Sequence, residues 1–155
     1  MYQTLLIPLD GSPRAEMILP HVWDLAMQFK SKVIFLMVVE PPLQFVNPSL
    51  YENSIQADVI HEYLINYKRK KEEIISYLAG FQEVFRKKGI DTGIFVEQGA
   101  VVETIISVAQ RENADLVAIA SHGRTGLSRV FYGSVAAGIL QKIDRPMLII
   151  RTRNI

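Results

Sequence analysis

Apolar residues gather in five short runs along the chain: TLLIPLD (4–10), KVIFLMVVE (32–40), DTGIFVEQG (91–99), ADLVAIAS (114–121) and RPMLIIRT (145–152). Four are rich in Val, Ile and Leu with little polar alternation, the pattern of parallel strands covered on both faces. The third is more mixed, which places it nearer a sheet edge. The stretches between them follow a helical period. SPRAEMILPHVWDLAMQFK sets Ala15, Ile18, Leu19, Val22, Leu25, Ala26 and Phe29 along one stripe, and Pro20 within it marks a kink or a break. HEYLINYKRKKEEIISYLAGFQEVFRKKG repeats Leu64, Tyr67, Ile74, Leu78, Phe81 and Phe85, with Gly89 as its stop. AVVETIISVAQREN and SVAAGILQKI are two further amphipathic segments.

Strands alternating with helices predict an α/β fold, a doubly wound open parallel sheet in one domain over residues 1–155. EPPLQFVNPSLYENSIQADV (40–59) reads as a long loop after the second strand, a lid or a simple insertion, in which Phe45 and Tyr51 predict some packed role. The chain has no cysteine, which removes disulfides and thiolate catalysis. No run approaches bilayer length, and Met1 leads into TLLIPLD without a basic start or a small-residue cleavage site, so the expectation is a cytoplasmic protein with no membrane span. A formal net charge of +1 leaves no global basic field for nucleic acid. The local cluster YKRKKEE (67–73) mixes signs at helical spacing and reads as a solvated helix face.

Chemistry concentrates in two connections. In open α/β sheets, ligands sit beyond the carboxyl ends of the strands where the strand order reverses. PLDGS (Pro8, Leu9, Asp10, Gly11, Ser12) closes the first strand, and Ser12 followed by Pro13 is a helix start: a hydroxyl cap, then proline at the first helical position. That cap does not require Asp10. Its carboxylate either caps the turn or accepts hydrogen bonds from a ribose or adenine and helps to hold a metal ion. The second connection, ASHGRTGLSRVFYGS (120–134), crowds Gly123, Gly126 and Gly133 with Arg124 and Arg129. Gly123 and Gly126 allow close backbone approach or positive φ. Gly133-Ser134 immediately precedes VAAGIL, so Ser134 falls at a helix N-terminus, where N–H groups and the helix dipole favour an anion such as phosphate. An ordinary loop with a serine cap explains the same residues.

These two stretches resemble the universal stress protein family, and the resemblance covers essentially the whole chain. The family's first strand ends in proline-x-Asp-Gly-Ser, as PLDGS does here. Its nucleotide motif runs glycine, two residues, glycine, nine residues, then glycine with Ser or Thr. Gly123, the nine residues after it and Gly133-Ser134 match that spacing, while Ala120 stands at the first glycine. With a negative φ there alanine fits and adds only a methyl group; with a positive φ it strains the loop.

The resemblance implies an adenine nucleotide alpha hydrolase-like sheet in the order 3-2-1-4-5, with Asp10 and the 120–134 loop on two sides of one crevice. It implies ATP or AMP as ligand, with backbone contact to adenine near Val38. Ile119 and Ala120 would then line the ribose side, and Gly123, Ser134, Val135 and the backbone of Ala136 would meet phosphates. Mg2+ or Mn2+ would bridge the phosphates, with Asp10 the protein's contributor. It further implies a role as a stress-response sensor or regulator whose affinity for an unidentified protein partner follows nucleotide binding.

No phosphate loop of the GxxxxGK[ST] type, paired histidine site or GxSxG nucleophile turn is present. His122 is the histidine of the 120–134 connection; as a general base it needs a partner, and as a loop residue bonded to backbone it needs none. Ser128 has no adjacent base. At most slow ATP hydrolysis is expected. The competing reading is a dimeric interaction module with a vestigial pocket. PMLII (146–150) is apolar throughout, and as the fifth strand it would be an edge, so a homodimer through residues 146–151 is expected.

Overall fold

The first apolar run becomes strand β1 (Thr4–Pro8), and the other four become β2 (Lys32–Val39), β3 (Thr92–Gln98), β4 (Leu116–His122) and β5 (Met147–Thr152). The structure is a computed structural model that describes residues 1–41, 56–122 and 133–152. The strands form one parallel sheet in the order β3-β2-β1-β4-β5, with the mixed third run at one edge and the fifth at the other. Helices α1 (Pro13–Glu16), α2 (Leu19–Phe29), α3 (Gln56–Arg86), α4 (Val101–Arg111) and α5 (Ser134–Lys142) cross between strands. The doubly wound α/β architecture is the one the alternation of periods predicts.

Successive side chains on a strand point to opposite faces, so each apolar run feeds two cores. Leu5 and Ile7 of β1, with Val33 and Phe35 of β2, pack against Val22 and Ala26 of α2 and Leu78 and Phe85 of α3. Leu6, Ile34 and Leu36 face the other way, against Ile105 and Val108 of α4 and Ile139 of α5. Leu5, Leu6 and Ile7 are wholly buried, each burial contributing roughly 1.5–3 kcal/mol. The Phe85 ring meets Trp23 edge-on at 4.9 Å and Phe35 at 5.2 Å, locking α2, α3 and β2 together.

Helix boundaries follow local chemistry. Ser12 caps α1, its Oγ accepting from Ala15 N at 3.1 Å, and Pro13 takes the first helical position. Pro20 marks a break: a new helix starts at Leu19, and Pro20 lies in its first turn, where its missing N–H costs no helical hydrogen bond. Helix α3 ends at Arg86, and Gly89 follows at φ 78° as the expected stop. Its start differs from expectation, because residues 56–59 are helical and belong to α3. Residues 42–55, with Phe45 and Tyr51, lie outside the described residues.

Two predicted core positions are exposed: Phe29, at 37% with its ring edge-on to Tyr2, and Leu64. Leu64 is 54% exposed, although Ile74, Leu78 and Phe85 of the same stripe are buried. Length explains the difference: 31 helical residues extend about 46 Å, whereas the eight of β2 span only about 26 Å. A helix longer than its sheet leaves part of its stripe without a strand beneath it.

Helices α4 and α5 approach closely where Gly138 faces Val102. A Cβ at Gly138 would lie 2.8 Å from Val102 Cγ2, inside the contact distance. Gly138→Ala is expected to destabilise the fold by about 1–3 kcal/mol in urea titration. Adding Val102→Ala removes the obstructing methyl groups and should restore part of the loss, a coupling that a double-mutant cycle measures.

Candidate functional site: a crevice where the strand order reverses

Strand β1 pairs with β2 over five residues, Thr4 to Pro8, but with β4 only at Leu5 and Leu6. Strand β4 pairs with β5 as far as His122–Thr152. The sheet therefore opens between β1 and β4 on their carboxyl side. Pro8 contributes to the opening. Leu9 N donates to Leu36 O at 2.8 Å, so alternation turns the position of Pro8 towards β4, where proline has no N–H to give.

Into this opening fits a crevice of about 320 Å3. Ten of the residues expected from the sequence line it: Pro8, Leu9 and Asp10 after β1, Val38 on β2, Ile119 and Ala120 on β4, and Gly133, Ser134, Val135 and Ala136 at the start of α5. Ser12 is not among them, and its hydroxyl is committed to the α1 cap. His122 ends β4, its side chain outside the described residues, as are Gly123, Arg124, Gly126, Ser128 and Arg129.

Six lining residues were not singled out from the sequence: Arg14, Ala15, Leu36, Val101, Ile105 and Ser121. Arg14 and Ala15 had a usable signal, because the Ser12-Pro13 helix start sets them next to Asp10. Leu36 had one too, standing two residues before Val38 on the same strand. Ser121 lies inside the glycine motif itself. Val101 and Ile105 had none, since only packing brings α4 to the crevice.

The two readings of Asp10 prove compatible. Its Oδ1 accepts from Ser12 N at 2.9 Å, which caps the turn, and the residue also lines the crevice. Gly11 makes that turn at φ 82°, a left-handed conformation that favours glycine. The question at Ala120 is settled by its backbone. Ala120 lies within β4 opposite Ile150, and the non-glycine residues with positive φ among those described are Lys30 and Asn113. Alanine fits there without strain, and its methyl group packs with the core cluster that contains Ala15 and Ala118.

The far wall is a helix N-terminus. Gly133 caps α5, and the first bond of the helix runs from Ala137 N to Gly133 O at 3.0 Å. The N–H groups of Ser134, Val135 and Ala136 precede that ladder and have no helical acceptor. A Cβ built on Gly133 would meet nothing within 4 Å. The crevice thus carries a carboxylate on its β1 side and a row of amide donors on its α5 side. Arg14 is the cation that lines it among the described residues.

Helix α1, which carries Arg14 and Ala15, is tied to the body by Tyr77 of α3, whose hydroxyl donates to Glu16 Oε1 at 2.7 Å. Burial, then the Glu16 hydrogen bond, pushes the Tyr77 hydroxyl above the ordinary tyrosine range. The fold therefore favours the protonated phenol. Its contribution is present below the ordinary tyrosine pKa of about 10 and is lost as pH rises through the higher folded value. Tyr77→Phe is expected to cost about 1 kcal/mol at neutral pH and progressively less above pH 10, measured by denaturant titration across that range.

The profile of the Universal stress protein family matches residues 1–151. Universal stress protein MJ0577 of Methanocaldococcus jannaschii is 25% identical over 159 residues, covering 99% of this chain and 98% of that one. Its solved structure superposes with a TM-score of 0.78 at 24% identity, covering 99% of each chain. Two further structures share the fold. A universal stress protein in complex with cAMP gives a TM-score of 0.59 at 20% identity, covering 98% of both chains. The universal stress protein from Archaeoglobus fulgidus in complex with dAMP gives 0.59 at 17%, covering 96% of this chain and 97% of that one.

Proposed function

The chain belongs to the universal stress protein family, and from that premise we propose that its crevice binds an adenine nucleotide, ATP or AMP, and that occupancy regulates contact with a protein partner during stress. One observation carries the reading: the N-terminus of α5 opens onto the crevice, across from Asp10, at the point where the strand order reverses. The complexes of related proteins with cAMP and with dAMP support an adenine ligand. In this assignment the N–H groups of Ser134, Val135 and Ala136 take phosphate. Backbone groups at Val38 read adenine, Ile119 and Ala120 flank the ribose, and Asp10 accepts from ribose or adenine. Gly123, Arg124, Gly126 and Arg129 complete the phosphate loop, and His122 orders its start.

Among the described residues no three acidic or histidine side chains converge on a metal position. A divalent ion such as Mg2+ or Mn2+ would therefore take most of its ligands from phosphates and water, with Asp10 as the protein oxygen, which suits the few protein ligands that Mg2+ requires. Hydrolysis is slow in this proposal. Phosphoryl transfer needs an oriented nucleophile and fixed charge, and among the described residues the charged groups that line the crevice are Asp10 and Arg14.

Gly133→Asp tests the phosphate assignment with two opposite signs. Aspartate is a preferred helix cap, and a Cβ at this position meets nothing within 4 Å, so the empty protein should keep or gain thermal stability. Its carboxylate occupies the anion position, so calorimetry should show ATP affinity lost. The wild type should prefer ATP to GTP and turn ATP over far below about ten per second. Equal ATP affinity in wild type and variant would refute the assignment.

The same reading includes a homodimer through residues 146–151. Among the described residues strand β5 pairs with β4 on one side only, and Met147, Leu148, Ile149 and Ile150 along it are half-buried. Pairing of this edge with a second copy would satisfy its backbone groups and cover those side chains. Light scattering should give twice the mass of one chain for the wild type and a monomer for Ile149→Lys. A wild-type monomer at micromolar concentration would exclude the dimer.

A further inference from the structure

We propose that the hydroxyl of Ser121 is a ligand contact in this crevice, donating a hydrogen bond to the phosphate held at the N-terminus of α5; the inference rests on the nucleotide reading above. Ser121 is 4% exposed, and among the described residues its Oγ has no hydrogen-bond partner. Its backbone is paired with Arg151 in the sheet and its carbonyl accepts from Thr152 Oγ1 at 3.2 Å, so the unsatisfied group is the side-chain hydroxyl. A buried hydroxyl without a partner is a standing penalty, and native proteins rarely keep one unless something else meets it.

The position of Ser121 identifies what meets it. Side chains alternate along β4, so Ser121 lies on the same face as Ile119 and opposite to Ala120. Ile119 belongs to the cluster built on Ala136 and Ile139 of α5, whereas Ala120 packs with the other cluster. Ser121 and the first turn of α5 therefore form one wall, and both line the crevice. Among the described residues that line the crevice, that wall presents three amide N–H groups and the hydroxyls of Ser121 and Ser134, with no carboxylate on it. Donors gathered on one wall call for a ligand rich in acceptors. A phosphate supplies three peripheral oxygens, whereas a ribose hydroxyl supplies one oxygen and brings a proton of its own. Asp10, the acid of the site, lies across the crevice and suits the hydroxyl-bearing part of the same molecule.

The experiment compares AMP with adenosine on Ser121→Ala by calorimetry, together with melting of the ligand-free proteins. A hydrogen bond to an ionised group predicts an AMP affinity about tenfold or more weaker, with adenosine affinity unchanged. The ligand-free variant should melt at the wild-type temperature or above it, because the change removes an unsatisfied hydroxyl. Ser121→Thr, which keeps the hydroxyl, should retain most of the AMP affinity. Unchanged AMP affinity in Ser121→Ala would overturn the proposal and leave nucleotide binding standing, provided that Gly133→Asp still abolishes it. An equal loss for AMP and adenosine, or a lower melting temperature, would overturn it in favour of a packing role. A wild-type protein that binds neither ligand would overturn this proposal and the nucleotide reading together.

Discussion

The unequal pairing of β1 is the constraint from which the rest of the molecule follows. Flanked by β2 and β4 and buried on both faces, β1 is the centre of the sheet. Chain leaving it toward β2 and chain returning to β4 must pass on different sides, which puts α2 and α3 on one face and α4 and α5 on the other. Because β1 and β4 share only a short ladder, they part beyond Leu6, and the gap becomes the crevice. Asp115 secures the opposite end: its Oδ2 accepts from Gln3 N at 2.7 Å and Thr4 N at 2.8 Å, so the two strands meet there and diverge at the site.

Site chemistry in this protein is local. With a net charge of +1 there is no global field to attract an anion. In the proposed reading, selectivity would come from short-range groups: amides at the start of α5, the buried hydroxyl of Ser121, Arg14 on α1 and the carboxylate of Asp10. Such an arrangement would suit a molecule with an anionic end and a hydroxyl-bearing end.

The anchoring of α1 links the site to the body. A helix of four residues contributes little stability of its own, and Ser12 and Pro13 define only its beginning. Its place is held from outside, by Ala15 in the core and by the Tyr77–Glu16 hydrogen bond from α3. Movement of Arg14 or Ala15 would therefore be felt in α3, a 31-residue helix that also carries the partly exposed apolar residues Val59, Ile60 and Leu64.

Sequence alone determined the five strands, the helical stretches, the start of α1 at Ser12-Pro13, the stop at Gly89 and the glycine motif, because each is written in neighbouring residues through a period or a cap. Resemblance to a family supplied the strand order, which no local period encodes. Tertiary structure decided the rest. Whether Pro20 kinks or breaks a helix, and whether Ala120 fits its position, depended on backbone angles that packing sets. Leu64 has the right spacing for the core, yet stripe position says nothing about whether a strand lies beneath that turn. Val101 and Ile105 reach the crevice from a helix whose sequence carries no trace of it. Local pattern fixes which face of an element is apolar, whereas convergence of distant segments on one cavity is a property of how those faces pack.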